Sequence, residues 1–266
     1  MQALPNRYPG LMGSGDTMRL PTLQDRLAVR ERPDTLPVMF QRWRDLLFLH
    51  WEIEANLIQA RLPDGLQVDL HEGKTYLGLV PFFMKKVRPK FLPALPWLSN
   101  FMELNVRAYV HDEQGRPGVW FFSLDCNQAI AVELARKFFH LPYQHARMES
   151  RGAIYECQRK GKTETARYEF TPVPSGEVAK PGSLEFFLLE RYLLFSDTRS
   201  GRLKCGQVHH PPYTFAKAPI QRADPSPILW EGFQIEGNPV SALVSTGVDV
   251  EIFALQNAPS GTEKER

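Results

Sequence analysis

Residues 101–110, FMELNVRAYV, alternate apolar and polar side chains without a break. Side chains of a strand point to opposite faces with a period of two, so this run is a β-strand with two unlike faces. One face carries Met102, Leu104, Val106, Ala108 and Val110; the other carries Glu103, Asn105, Arg107 and Tyr109. Residues 118–125, GVWFFSLD, follow after HDEQGRP and read as a second strand, the two closing as an antiparallel hairpin. If like faces meet across that hairpin, Asn105 and Arg107 lie beside Ser123 and Asp125.

The rest of the chain is consistent with a strand-rich domain. Residues 42–51 predict a strand, followed by a short helix in which Ile53, Leu57, Ile58 and Leu62 recur before Pro63 and Gly65 stop it. Residues 66–84 predict two strands paired as a hairpin around the turn at 71–74. Residues 127–141 predict a helix, with Asn127 as N-cap and Ile130, Leu134, Phe138 and Leu141 as its buried stripe. Three short strands are expected over 148–172, a second helix over 183–197, and further strands over 202–213 and 233–253. Many strands, two helices beside them and 22 prolines favour a mainly β (α+β) barrel-like domain with flanking helices over a doubly wound α/β fold. Over 266 residues this divides into a loosely ordered N-terminal arm (1–37), a single barrel domain (38–258) and a flexible tail (259–266).

Composition excludes several classes of function. With 32 Lys and Arg against 30 Asp and Glu the net charge is +2, so no nucleic-acid partner is written into the chain. No run of about 18 uncharged apolar residues exists to span a bilayer, and residues 184–195 are interrupted by Glu190 and Arg191, so no membrane partner is expected. Three cysteines without CxxC spacing suit a reducing compartment, and with no signal-peptide run at the N-terminus the expected location is cytoplasmic. His209 and His210 are adjacent and point apart on an extended chain, so no metal site is expected. His50 and His140, set among apolar neighbours, read as structural. No glycine-rich phosphate loop or GxSxG elbow occurs, and no cofactor is called for. Lys85, Lys86, Arg88 and Lys90, beside the proline-rich FLPALPWLS, could grip a phosphate or single-stranded nucleic acid; the near-neutral total charge favours a solvated loop over the barrel mouth.

The candidate site is the polar face of the first strand. An arginine offers a fork for a carboxylate and a desolvated glutamate can act as acid or base, so Arg107, Asn105, Ser123 and Asp125 are candidates for substrate binding and Glu103 for catalysis. The alternative is that this face is simply the wet side of an amphipathic strand.

The ordered motifs FLHW (48–51), LPDGL, VPFFM, ELNVRAYV, GVWFFSLD and ARKFFHLPY, extended by LERYLLF and VHHPPY, resemble the YqjF-like proteins of the acetoacetate decarboxylase-like superfamily over about residues 40–218. The resemblance implies a closed, cone-like antiparallel β-barrel of that type with a small-molecule cavity inside. True acetoacetate decarboxylases carry Gly-Arg-Glu, a spacer, then Pro-Lys-Lys, which supplies the imine-forming lysine and its activating neighbour. The similar segment here is Ala135-Arg136-Lys137 followed by Pro142-Tyr143-Gln144, so both lysines are replaced and the imine reaction is not expected. On the same resemblance Glu103 matches the cavity glutamate, Arg107 is the carboxylate anchor, and Tyr143, a candidate for catalysis in place of the lysine, is either a hydrogen-bond donor to an enol or carbonyl oxygen or a lining residue. The expected function is to bind a small organic acid or carbonyl compound, with lyase, isomerase or hydrolase chemistry. A non-catalytic sensing module, or an interaction module using the arm and the basic loop, remains open, as does homo-oligomerisation.

Overall fold

The structure is a computed structural model and describes residues 18–174, 176–198 and 201–258. The chain enters through α1 (Leu23–Ala28), which opens on a capping box between Thr22 and Asp25. Six residues are too few to hold a helix alone. Arg26 anchors this one by binding both carboxylate oxygens of Asp69 at 2.6 and 2.7 Å, and the Gln207 amide donates to the carbonyls of Val29 and Glu31. Residues 18–37 are thus docked, not a loose arm; residues 1–17 and 259–266 lie outside the described residues.

The strands follow as β1 (Met39–Ile53), β2 (Leu66–Val68), β3 (Thr75–Pro89), β4 (Phe101–Asp112), β5 (Pro117–Cys126), β6 (Tyr143–Arg151), β7 (Ile154–Arg159), β8 (Ala166–Phe170), β9 (Glu177–Val178), β10 (Leu193–Asp197), β11 (Leu203–His209), β12 (Thr214–Lys217), β13 (Ile220–Ala223), β14 (Ser241–Ile252) and β15 (Gln256–Asn257). Between them lie α2 (Ala55–Gln59), α3 (Ala129–Phe138), α4 (Leu184–Leu189) and α5 (Ser226–Trp230). Pairing runs β5-β10-β11-β14-β1-β3-β4 and returns to β5, so seven strands close a ring. Within it β5 and β10 are parallel and the remaining pairs antiparallel, a mixed ring where a wholly antiparallel one was expected. β6, also parallel to β5, leads into an outer sheet of β6, β7, β8 and β13.

The register tells inside from outside. Arg42, Arg44, Lys85, Asp249 and Glu251 share one face of β1, β3 and β14, and Arg42, Lys85 and Asp249 stand in solvent, so that face is the outer one. Further along, the outer face is covered by the β6–β8 sheet and buries Leu47, Leu49, Leu77, Leu79, Leu104, Val106 and Ala108 with Tyr155 and Tyr168. The inner face carries Phe48, Val80, Phe82, Tyr109, Val248 and Val250, and α4 with Tyr213 and Phe215 fills it. β4 is therefore buried on both sides, and the wet-face alternative for Glu103 and Asn105 does not hold.

Four local expectations change. β2 and β3 do not form a hairpin: β2 pairs with β4, leaving a single bridge between His71 and Lys74. α3 is capped by Gln128, because the Asn127 side chain instead accepts the Met102 amide at 2.8 Å and ties the helix to β4. The stripe Ile130, Leu134 and Phe138 faces outward, while Val132 with Ala131 and Ala135 packs inward. The helix expected over 183–197 ends at Leu189, where Glu190 leaves helical geometry to accept the Tyr213 amide and the Tyr192 hydroxyl; the chain resumes as β10.

Candidate functional site

Glu103, Asn105, Arg107 and Tyr109 all point into the ring, spread along β4 over about 20 Å at 3.3 Å per residue. Cross-strand pairing sets what faces them: Phe82 and Val80 opposite Glu103 and Asn105, and Gly78 opposite Arg107. A Cβ at Gly78 would stand 3.1 Å from the Tyr109 hydroxyl and 3.2 Å from Cγ of Arg107, so the missing side chain is what lets both lie down there. His50 pairs with Gly78 from the other side. Its Nε2 lies 2.8 Å from the Tyr109 hydroxyl, and burial together with the Arg107 charge holds its pKa well below the usual imidazole range.

Arg107 is the unusual member. Its Nη2 donates to the Leu188 carbonyl at 3.1 Å and to the Tyr109 hydroxyl at 3.3 Å, and among the described residues its buried Nε has no partner and no carboxylate pairs with it. The guanidinium packs 5.6 Å from the Phe48 ring, itself edge-on to Tyr213. Two residues away, the buried Asn105 Oδ1 also lacks a donor. A buried polar group without a partner costs on the order of 1–3 kcal/mol, so these atoms mark a place where a ligand can repay the penalty.

At the other end of the line, Glu103 and Tyr143 form a buried pair. Tyr143 begins β6, which joins β5 in parallel so that Tyr143 sits opposite Leu124 on the inner face. Its hydroxyl donates to Glu103 Oε2 at 2.6 Å. Burial pushes the Glu103 carboxyl up to about 7, outweighing the stabilising hydrogen bonds from Tyr143 and Asn105, and the phenol of Tyr143 also rises, first through burial and then through the Glu103 charge. A carboxyl that titrates near neutrality and holds a phenol is equipped to take up and return a proton. Cys126, on the same face, is pushed up to about 12 by burial and stays a thiol.

Ser123 and Asp125 are not part of this line. A β-bulge at Phe122 shifts the β4–β5 register between Val106 and Arg107, so that Ser123 pairs with Val106 and Asp125 with Leu104, on the outer face. There Arg159 of β7 grips both Asp125 oxygens at 2.6 and 2.8 Å, the Ser123 hydroxyl at 2.7 Å and Glu231 at 2.5 Å. The expectation that they stand beside Arg107 fails because one extra residue reverses the side-chain parity of the strand. Two surface clefts also lie off the inner line: one of about 700 Å³ bounded by Arg136, Lys137, Arg202 and Lys204, and one of about 440 Å³ beside Trp230.

His50 and Gly78 join the site although the sequence marked them as structural or not at all. His50 lies in the FLHW motif but nothing in it marks a role; the only signal for the pair is that residues 42–51 and 66–84 read as strands, and the register that brings them beside Arg107 is a long-range fact.

Residues 40–249 match the family model DUF2071, described as an uncharacterized conserved protein. The chain belongs to this family. It is similar to the uncharacterized protein YqjF of Bacillus subtilis (strain 168), 37% identical over 191 residues that cover 70% of this chain and 78% of YqjF. Among solved structures it resembles an acetoacetate decarboxylase-like enzyme from Sphingomonas wittichii RW1, with a TM-score of 0.57 and 13% identity over 85% of this chain and 95% of that one. It also resembles the enduracididine biosynthesis enzyme MppR complexed with pyruvate, with a TM-score of 0.56 and 12% identity over 85% and 93% of the respective chains. The fold is that of the acetoacetate decarboxylase-like proteins, and the strand ring described above is compatible with their barrel.

Proposed function

We infer that this DUF2071 protein binds a small organic acid carrying a carbonyl or hydroxyl group inside the strand ring. Arg107 holds the carboxylate, Asn105 Oδ1 accepts a hydrogen bond from the ligand, and the Glu103–Tyr143 pair moves a proton next to the carbonyl. The observation that carries this reading is the Arg107 guanidinium, half-buried and, among the described residues, without a carboxylate, whereas the buried Arg159 and Arg191 are each paired with an aspartate. The pyruvate bound to MppR is a compound of the class proposed here, though at 12% identity that likeness speaks for the fold alone.

The chemistry proposed is proton transfer without an imine, as in an isomerase, lyase or hydrolase. Tyr143 donates to an oxygen on which negative charge develops, while Glu103, which titrates near 7, accepts the proton that leaves and gives it back. Among the described residues no lysine is buried, which supports a route other than a Schiff base. The proposed setting is the cytoplasm; among the described residues no helix is long and apolar enough to cross a membrane.

Thermal unfolding in the presence of pyruvate, acetoacetate, lactate and related acids tests the reading. A ligand at about a hundred times its dissociation constant adds about 2.7 kcal/mol, which raises the midpoint by several degrees. The shift should appear with acids, be absent with the matching methyl esters, and vanish in Arg107→Met. An unchanged shift in that variant sinks the assignment of Arg107.

A further inference from the structure

We propose that the proline-rich loop of residues 90–98, with the cations beside it, docks the protein peripherally on an anionic membrane surface. The loop holds its largest apolar side chains out in solvent: Phe91 is 86% exposed and Trp97 66%, and Leu92 and Leu95 stand out with them. This is not a slack segment. Leu95 and Ser99 bond to each other twice, Leu92 and Leu98 close turns onto Pro89 and Leu95, the Asn100 amide donates to the Pro96 carbonyl, and Gln128 of the α3 cap donates to the Trp97 carbonyl at 3.0 Å. The backbone is fixed, so the exposed rings and leucines are presented to solvent.

Charge decides which partner fits. Residues 84–102 contain Lys85, Lys86, Arg88 and Lys90 and not one acidic residue. Lys85 and Lys86 are exposed, and Asp249, on the neighbouring strand surface, is already engaged by Arg42 and Arg44. Lys90 lies 4.9 Å from the Phe91 ring, which puts a cation at the root of an apolar tip. A second copy docking symmetrically here would bring like cations together. A nucleic acid would satisfy the lysines but leave Leu92 and Leu95 in water. An anionic lipid surface takes both parts: Trp, Phe and Leu enter the headgroup boundary, and the lysines meet the phosphates. α3 adds an outward stripe of Ile130, Leu134 and Phe138 that starts two residues after Gln128. The proposal departs from the sequence expectation of no membrane partner.

The test is co-sedimentation of the full chain with phosphatidylcholine vesicles and with vesicles containing phosphatidylglycerol, at low and high salt. Binding is expected to the anionic vesicles only and to weaken with salt. It should fall more than about tenfold both in Lys85→Glu/Lys86→Glu and in Phe91→Ser/Trp97→Ser, with melting temperatures that show both variants folded. Failure of the wild type to sediment with anionic vesicles overturns the proposal, as does equal sedimentation of either variant. Sedimentation velocity and gel shift with single-stranded RNA identify the alternatives. A dimer dissolved by Phe91→Ser/Trp97→Ser, or RNA binding, in a protein that ignores vesicles also overturns it.

Discussion

Asn105 and Arg107 on β4 and Ser123 and Asp125 on neighbouring β5 lie back to back across a single sheet, and their polar groups are treated in opposite ways. On the outer face every carboxylate oxygen of Asp125 is matched by a guanidinium nitrogen of Arg159, whose remaining nitrogen goes to Glu231 and whose plane lies 5.1 Å from the Trp230 ring. On the inner face Arg107 and Asn105 each keep a buried atom without a partner. A closed charge network is a fastener: it ties β7 and the chain after α5 to the ring and already gives the Arg159 cation two carboxylates. An open one costs stability, and under the function proposed above a ligand offsets that cost.

The largest effect expected from this contrast is in stability. Arg159→Met leaves Asp125 buried without its cation and should cost about 3–5 kcal/mol in urea unfolding, whereas Arg107→Met strips no carboxylate of a partner and should cost about 1 kcal/mol or less. Equal losses would erase the distinction between the two faces. A smaller, pH-dependent effect belongs to Glu103. Its carboxyl is raised in the folded protein, so its contribution is fully present below the unfolded value near 4.5 and is lost as pH rises through about 7. A difference of that size amounts to about 3 kcal/mol, so Glu103→Gln should gain about that much on the wild type between pH 5 and pH 8. A gap that stays constant with pH would place Glu103 in a wetter, more compensated site than the geometry shows.

Tyr143→Phe removes the hydrogen bond that favours the ionised form, so the Glu103 titration followed by carboxyl NMR should move upward from 7. A downward move would break the pairing of these two groups. Finally, borohydride with acetoacetate should trap no adduct by mass spectrometry; an adduct on any lysine would restore the imine route.

The period-two pattern of residues 101–110 was enough to define a strand and its two faces, because alternation survives any register. What the pattern could not supply was the partner on the far side. Phe122 reads as an ordinary strand residue, yet as the bulged position it decides that Ser123 and Asp125 leave the site. The segment after Ser183 carried helical spacing up to Asp197, and the helix stops early because the Glu190 carboxylate and the Arg191 guanidinium are each claimed by long-range partners, Tyr213 and Asp69. The outward turn of Ile130, Leu134 and Phe138 shows the limit of amphipathic spacing, which identifies a helix face without saying which face the fold buries. The Glu103–Tyr143 pair was legible only through resemblance, since forty residues separate its members.

The bulge at Phe122 also bears on how such a site can change over evolutionary time. Substitutions at Ser123 or Asp125 can only loosen the clamp, because their side chains cannot reach around the sheet. Deleting Phe122 would leave Ser123 opposite Val106 and Asp125 opposite Leu104, because the remaining residues already pair as a plain ladder. Turning the two side chains inward takes a one-residue slip of pairing at unchanged length, which would set Ser123 opposite Asn105 and Asp125 opposite Glu103. The bulge is thus a latch that holds one of two registers, and with it the face on which the Asp125 carboxylate is spent.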